Sequence, residues 1–310
     1  MDRAIDIVNV HHSYGERTAL DGVSLHIQQG EMFGLLGPNG GGKTTLFCML
    51  NTLIIPQKGQ ISILGVDAQK DPAQVRTRIG VVFQHPSLDP KLTVLENLRH
   101  QGHLYGLSGR ILTERIDAAL HLVRLNERAG DRVDTLSGGL QRRVELAKGV
   151  LHRPDVLIFD EPCTGLDPGA RRAFWDDLGL LRKTYGMTLV LTTHFMEEAE
   201  RCDRIGILDR GKLIALGAPE VLKKEVGQDV IILRTAHADA LAAHICKGRD
   251  LDVQVVDGTV RIICSEGQRL LAELYPQLGD SVMSMTLSRP TLEDVFIRLT
   301  GHQFDMEGDA

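Results

Sequence analysis

The sequence predicts an α/β fold followed by a smaller α+β domain, and three stretches predict it. An apolar run at residues 32–36 leads into Gly37-Pro38-Asn39-Gly40-Gly41-Gly42-Lys43-Thr44-Thr45 and then into a helix-like segment over 44–53. Four apolar residues, 156–159, end in Asp160-Glu161, the pattern of a buried parallel strand with acids at the carboxyl end where α/β sheets bind ligands. Past Gly217 the order becomes strand, helix, hairpin, helix, strand, helix. That is the split, ferredoxin-like β-α-β-β-α-β order plus a tail.

The bulk properties limit the function classes. At 310 residues the chain has room for one large domain or two. A net charge of −6 with 25% charged residues makes no electrostatic case for nucleic acid. Cys48, Cys163, Cys202, Cys246 and Cys264 are scattered, odd in number and without a C-x-x-C pair. This predicts reduced thiols in a cytosolic protein rather than disulfides or structural zinc. The first residues lack a cleavable apolar core, and no uncharged run approaches the roughly 18–20 residues that span a bilayer. Any membrane role is expected to run through a partner.

In chain order, residues 5–10 and 23–27 alternate as strands, joined through turns at Gly15 and Asp21-Gly22. Tyr14, just before Gly15, either stacks on a base or packs its ring on the surface. The glycine loop keeps the G-x-x-x-x-G-K-[ST] spacing from Gly37 to Thr44. Backbone N–H groups wrap a phosphate chain only where few side chains intrude, and the following helix end adds its dipole. Lys43 supplies a charge for the β- and γ-phosphates and Thr44 a hydroxyl for Mg²⁺. Residues 60–64 and 79–83 are short apolar runs, the second leading into Gln84, with Asp71-Pro72 starting a short helix between them.

From about residue 90 to 152 helical periodicity replaces the strand signals, which predicts a helical insertion. Within it Ser137 caps a helix whose N–H groups Gly138 and Gly139 leave bare; alone, this is also how an ordinary capped helix begins. Asp160 is placed to hold Mg²⁺, and Glu161, pointing elsewhere, to orient or deprotonate water. Thr164-Gly165-Leu166-Asp167 follows, then a helix through Trp175 to Leu181. An apolar strand over 187–191 ends in Thr192-Thr193-His194, at the same sheet edge as Lys43 and Asp160, which favours a phosphate contact for His194. A domain boundary is expected near 218–227. The segments after it are strand 230–234, helix 238–246, a hairpin at Asp257-Gly258, helix 268–275, strand 281–287 and helix 291–299. They carry no catalytic constellation, and a packing or dimerising appendage is the expected role.

Taken together, the loop at 37–44, Gln84, the Leu136–Leu140 run, the strand ending in Glu161, the Thr164–Asp167 turn and His194 resemble the motifs of ATP-binding cassette ATPases. They match the Walker A, Q-loop, signature, Walker B, D-loop and switch-histidine positions, and Tyr14 matches the adenine-stacking aromatic. The resemblance covers about residues 1–217. It implies a P-loop NTPase with a RecA-like core, an antiparallel β subdomain and a helical subdomain, with 218–310 as the accessory domain. Residues 288–301 and 193–199 are similar to the exporter branch that includes daunorubicin-resistance ATPase subunits.

The resemblance implies an ATP- and Mg²⁺-dependent ATPase working as a pair of cassettes, expected to be a homodimer. Each ATP would lie between the Tyr14, Gly37–Thr45 face of one copy and Ser137, Gly138 and Gly139 of the other. Glu161 would polarise water, Gln84, Thr44 and Asp160 would complete the Mg²⁺ shell, His194 would hold the γ-phosphate and Asp167 would couple the sites. Separate transmembrane permease subunits would dock beside Gln84 and the helical insertion, placing the chain on the cytoplasmic face of the membrane. An importer subunit with a substrate-sensing C-terminal domain is the rival within transport. A soluble cassette acting on DNA or ribosomes is the rival outside it.

Two departures from the family pattern carry expectations. Leu140 stands where the family has Gln, with Gln141 one place later, so a reach-back capping bond is expected to be absent. Cys163 stands where Thr or Ser is usual, and an exposed thiol there would make ATP hydrolysis sensitive to alkylation.

Overall fold

The centre of the molecule is a six-stranded sheet in the order β10-β9-β3-β8-β7-β6, seen in a computed structural model that describes residues 2–247, 251–278 and 281–304. Its parallel strands are β3 (Met32–Leu36), β6 (Ile79–Val82), β7 (Val156–Asp160), β8 (Thr188–Thr193) and β9 (Arg204–Asp209), with β10 (Lys212–Gly217) antiparallel at the edge. Every residue of β3, β7 and β8 is buried, which is why these segments read as unbroken apolar runs rather than alternating ones. Successive side chains point to opposite faces. Val156 and Ile158 join one core with helix α1 (Lys43–Leu50), while Leu157 and Phe159 join another with helical residues of 94–151 and 174–181.

The first core is closed by an antiparallel sheet, β2-β1-β4-β5, from β1 (Arg3–Tyr14), β2 (Arg17–Gln28), β4 (Lys58–Ile63) and β5 (Val66–Asp67). The expected turn at Asp21-Gly22 is instead a bulge inside β2. Val10 pairs with Val23 but His12 pairs with Leu20, so β2 carries one extra residue, and Gly22 takes it up at φ +70°. Asp71 caps α2 (Pro72–Arg78) through the Gln74 N–H, with Pro72 in the first turn. Helix α1 ends at Leu50, short of the expected 53, because Asn51 caps it and Thr52 turns left-handed.

The helical insertion contains α3 (Val94–Leu104), α4 (Gly109–Leu122), two short 3₁₀ turns and α5 (Gly138–Val150). A capping box between Thr93 and Glu96 starts α3. Gln141 does not reach back to the cap. Its amide donates instead to the carbonyls of Val133 (3.2 Å) and Leu136 (3.1 Å), pinning the chain that enters α5. Helix α6 (Pro168–Tyr185) and the short α7 (Met196–Ala199) follow β7 and β8.

The β9–β10 hairpin, for which the sequence suggested no element, extends the central sheet. Residues 219–226 form α8 (Pro219–Val226). A third sheet follows, from β11 (Asp229–Arg234), β12 (Asp252–Val256), β13 (Thr259–Cys264) and β14 (Ser284–Ser288), in the antiparallel order β12-β13-β11-β14. Helices α9 (Ala238–Cys246) and α10 (Gly267–Leu278) alternate with these strands, giving the expected β-α-β-β-α-β order. Helix α11 (Leu292–Thr300) turns back to α8. Leu292, Val295 and Phe296 share a core with Leu222 and Val226, and Arg298 donates to the carbonyls of Glu225 (2.9 Å) and Val226. Residues 305–310 of the expected accessory domain lie outside the described residues.

Candidate functional site

Strand register decides which chemistry meets at the site. Leu36 of β3 pairs with Thr193 of β8, and Asp160 of β7 pairs with Thr192. The glycine loop, the two acids and Thr192-Thr193-His194 therefore leave the sheet side by side at its carboxyl edge, the usual ligand side of an open α/β sheet. Helix α1 begins at Lys43 from a cap, Gly42, at φ +107°. A methyl group on Gly42 would meet the Ala19 carbonyl oxygen at 2.6 Å, so this position admits glycine alone.

Lys43 is 4% exposed. Its Nζ donates to the carbonyls of Gly37 (2.8 Å) and Pro38 (3.0 Å) and stands 3.5 Å from Glu161 Oε1. Burial pulls the ammonium down from its ordinary range, against the opposing pull of Glu161. A phosphate oxygen is the kind of anion that would replace those two carbonyls as its partner.

Glu161 gathers the rest. His194 Nδ1 lies 2.9 Å from Glu161 Oε2, the Gln84 amide 3.5 Å and the Thr164 hydroxyl 3.4 Å from the same oxygen. Its backbone is left-handed at φ +41°, a costly conformation for a side-chain-bearing residue, held by an N–H bond to Thr192 Oγ1 at 3.0 Å. Burial pushes the Glu161 carboxyl up, but the His194 contact and the Lys43 charge outweigh it and hold the group below its usual range. Asp160 goes the other way: burial raises it, only partly offset by the Thr192 hydroxyl at 2.7 Å.

A cavity of about 370 Å³ opens over the loop, lined by Tyr14, Arg17, Ala19, Asn39, Gly40, Gly42, Lys43, Thr44, Thr45 and Glu161. Tyr14 is 51% exposed and meets the His12 ring in a T-shaped contact at 4.8 Å, which leaves ring surface open to a flat partner. Arg17 was absent from the sequence reading; its guanidinium crowds the space above Gly40, and its only signal is a cation three residues after the aromatic. The oxygen donors Thr44, Gln84 and Asp160 suit Mg²⁺, which is bound through one or two carboxylates plus phosphates rather than an all-protein cage. No group of three His, Cys, Asp or Glu that could form such a cage occurs among the described residues.

Ser137, Gly138, Gly139 and Asp167 are not brought into this cavity; none is among the described residues lining it. Ser137 accepts the Leu140 N–H at 3.5 Å and Asp167 caps α6 through Ala170 N at 2.9 Å. Both helix starts face outward, with Ser137, Gly138 and Gly165 exposed. Sequence reasoning also missed Arg142. Its buried guanidinium donates to the carbonyls of Pro162 (2.7 Å), Asp160 (3.4 Å) and Phe83, tying α5 to the residue before Gln84 and to those on either side of Glu161. The expectation for Cys163 is corrected. The thiol is buried and pushed far above its ordinary range by that burial, so no reactive thiolate is presented there.

Comparison with known proteins decides the family. The chain is 41% identical over 313 residues to the Nod factor export ATP-binding protein I of Paraburkholderia xenovorans, covering 97% of this chain and 98% of that protein. The chain belongs to the ATP-binding cassette transporter family. The family model described as "ABC transporter" matches residues 20–164 of the cassette. The linearmycin resistance ATP-binding protein LnrL of Bacillus subtilis is 36% identical over 305 residues, covering 94% of this chain and 97% of that one. A component of the cbiONQ transporter complex of Clostridium perfringens superposes with a TM-score of 0.68 at 28% identity, covering 73% of this chain and 92% of its own. An ATP-binding cassette solved as a dimer in a post-hydrolysis state with ADP and phosphate superposes with a TM-score of 0.63 at 29% identity, covering 69% and 98%. The cassette is thus a P-loop ATPase that binds and hydrolyses ATP, and no helix among the described residues is long and apolar enough to cross a membrane.

Proposed function

We propose that this cassette is the ATP-hydrolysing subunit of an exporter, working as a homodimer beneath separate permease subunits on the inner face of the cell membrane. The observation that carries the chemistry is Glu161, which faces Lys43, His194 and Gln84 at the mouth of the phosphate cavity. Tyr14 stacks on the adenine, and the N–H groups of residues 39–45 with Lys43 hold the phosphates. Thr44, Gln84 and Asp160 would hold Mg²⁺, which would supply positive charge to the phosphate chain. Glu161, ionised at neutral pH, accepts a hydrogen bond from the attacking water, and His194 leaves Glu161 to donate to the γ-phosphate. Catalysis on this reading is positioning and charge stabilisation without a covalent enzyme intermediate.

Support for the pairing comes from Gly138. A methyl group built there meets no other described atom within 4 Å, so nothing in this chain's own packing calls for glycine. A γ-phosphate from the opposite cassette does. Export is supported by the relatives, whose names speak of export and resistance. We further divide the chain into a catalytic domain, 1–217, with its helical subdomain at about 90–152, and an accessory domain, 218–310.

The test is steady-state hydrolysis by the purified chain and by Glu161→Gln, with size-exclusion chromatography in ATP and Mg²⁺. The expected result is an inactive variant that elutes as a dimer only with ATP. A variant that hydrolyses as fast as wild type would overturn the role of Glu161, and a monomer in ATP would overturn the pairing. Vesicles carrying the co-expressed permease should move cargo outward without a separate binding protein.

A further inference from the structure

Behind the site, a buried carboxylate and a partly exposed guanidinium face each other without closing. Glu198 of α7 is 2% exposed. Its Oε2 accepts the Thr193 hydroxyl at 2.8 Å and the weakly donating Cys163 thiol lies beside the carboxyl, but Oε1 has no geometrically sound hydrogen bond among the described residues. Arg171 of α6 stands opposite with Nε 4.0 Å from that oxygen, and Nε is likewise buried and unbonded among the described residues. A charge-assisted hydrogen bond is about 2.7–2.9 Å long, so the pair is open by roughly 1 Å. Unsatisfied buried charges are rare because each forfeits its bonds to water. The unbonded Glu198 oxygen and the unbonded Arg171 Nε that face one another are accounted for as a bond made in another state of the protein.

The surroundings say which movement closes it. Arg171 lies one helical turn from the head of α6, where its N–H bonds the Asp167 carbonyl at 2.9 Å. Its guanidinium also covers the Phe195 ring at 4.9 Å. On the other side, the Thr193 hydroxyl that donates to Glu198 accepts the Phe195 N–H at 2.9 Å. Thr193 and Phe195 bracket His194, whose Nδ1 rests against Glu161. A shift of the α6 head therefore reaches the His194 loop through one side-chain pair.

We propose that Arg171 and Glu198 are positioning residues that close onto each other when a second cassette presses on Asp167, drawing the His194 loop from Glu161 toward the γ-phosphate. This rests on the paired-cassette reading above. The pair takes no part in bond-making. It makes placement of His194 conditional on an occupied interface, so that an unpaired cassette holding ATP does not hydrolyse it.

The test uses the full chain, alone and in the Glu161→Gln background. Glu198→Gln keeps an acceptor for Thr193 but has no charge to pair with Arg171, and Arg171→Met keeps the apolar stem. Each is expected to lower kcat by about tenfold or more, the worth of one charge-assisted bond, with KM for ATP unchanged. ATP-induced dimerisation in the Glu161→Gln background should persist. Arg171→Lys, which keeps the charge, should recover part of the loss, and the double variant should be no slower than the slower single one. Independent effects that multiply in the double variant, or a kcat equal to wild type, would overturn the proposal. So would loss of dimerisation in the variants alone, which would mark a structural role. If the Glu161→Gln parent itself stays monomeric in ATP, the pairing reading has failed and the latch falls with it.

Discussion

Gly138→Asp separates what the fold needs from what a partner needs. Gly138 is not among the glycines with left-handed backbone, and a side chain there enters open space. Replacing glycine where an ordinary side chain fits stabilises a protein by about 0.4–1 kcal/mol. An acid in the first turn of α5, which has none, adds about 0.3–1 kcal/mol through the helix dipole. The nucleotide-free variant should therefore be more stable by about 1 kcal/mol and melt roughly 2–4 °C higher. Across the paired site the same carboxylate would stand near a γ-phosphate oxygen. At about 4 Å and an effective dielectric of about 20, two unit charges repel by about 4 kcal/mol, about a thousandfold in affinity for each of the homodimer's two sites. The assays are calorimetry without nucleotide and sedimentation in ATP and Mg²⁺ in the Glu161→Gln background. A lower melting temperature would refute the packing argument. Undiminished dimerisation would refute the placement of Gly138 at the interface.

Other consequences follow from burial. Cys246 is exposed while Cys163 and Cys202 are buried with thiols pushed far above their ordinary range by desolvation; maleimide should label native protein first at Cys246 and leave hydrolysis intact, and a loss cured by Cys163→Ser would contradict this. Arg142→Met removes charge-assisted bonds to the Pro162 and Phe83 carbonyls, each worth about 1.5–3 kcal/mol, so the melting temperature should fall by roughly 10 °C; an unchanged melt would show the guanidinium to be dispensable. The Glu161 carboxyl titrates below its ordinary 4.5, so its ionised form contributes stability that is complete above that pH and lost as the pH falls through the lower folded value. Glu161→Gln should therefore flatten the acid limb of the melting temperature below about pH 4.5, and a limb parallel to wild type would reject the coupling.

Local signals and long-range ones divided what could be read in advance. The glycine loop, the acids at the end of β7 and the Asp71-Pro72 start of α2 depend on neighbours in sequence, and each lay within a residue or two of its expected place. The Asp21-Gly22 bulge did not, because a turn and a bulge place the same glycine at positive φ and only the pairing of Val10 with Val23 distinguishes them. The β9–β10 hairpin was missed for a related reason. Its strands sit around Arg210-Gly211, and two short apolar runs close to charged residues resemble a loop until β3 is alongside. Cys163 failed on burial: nothing in Glu161-Pro162-Cys163 says that Arg142 and Glu198 close over it.

The glycines show why a single chain can be read only so far. Gly37 and Gly42 are dictated from within: a methyl group would strike the Leu208 carbonyl oxygen at 2.4 Å in one case and the Ala19 carbonyl oxygen at 2.6 Å in the other. Gly139 is crowded by Ala170 at 2.8 Å, again an internal reason. Gly138 has none, although in the sequence it is indistinguishable from its neighbour. On the paired-cassette reading, the reason for a glycine at this helix start lies in the partner's phosphate rather than in the chain's own packing. Asp160, Glu161 and Lys43 carry the opposite message. Their burial and mutual distances are set by one chain's own strands and loop, so that half of the proposed site was legible from the residues themselves, while the other half entered only through the family resemblance.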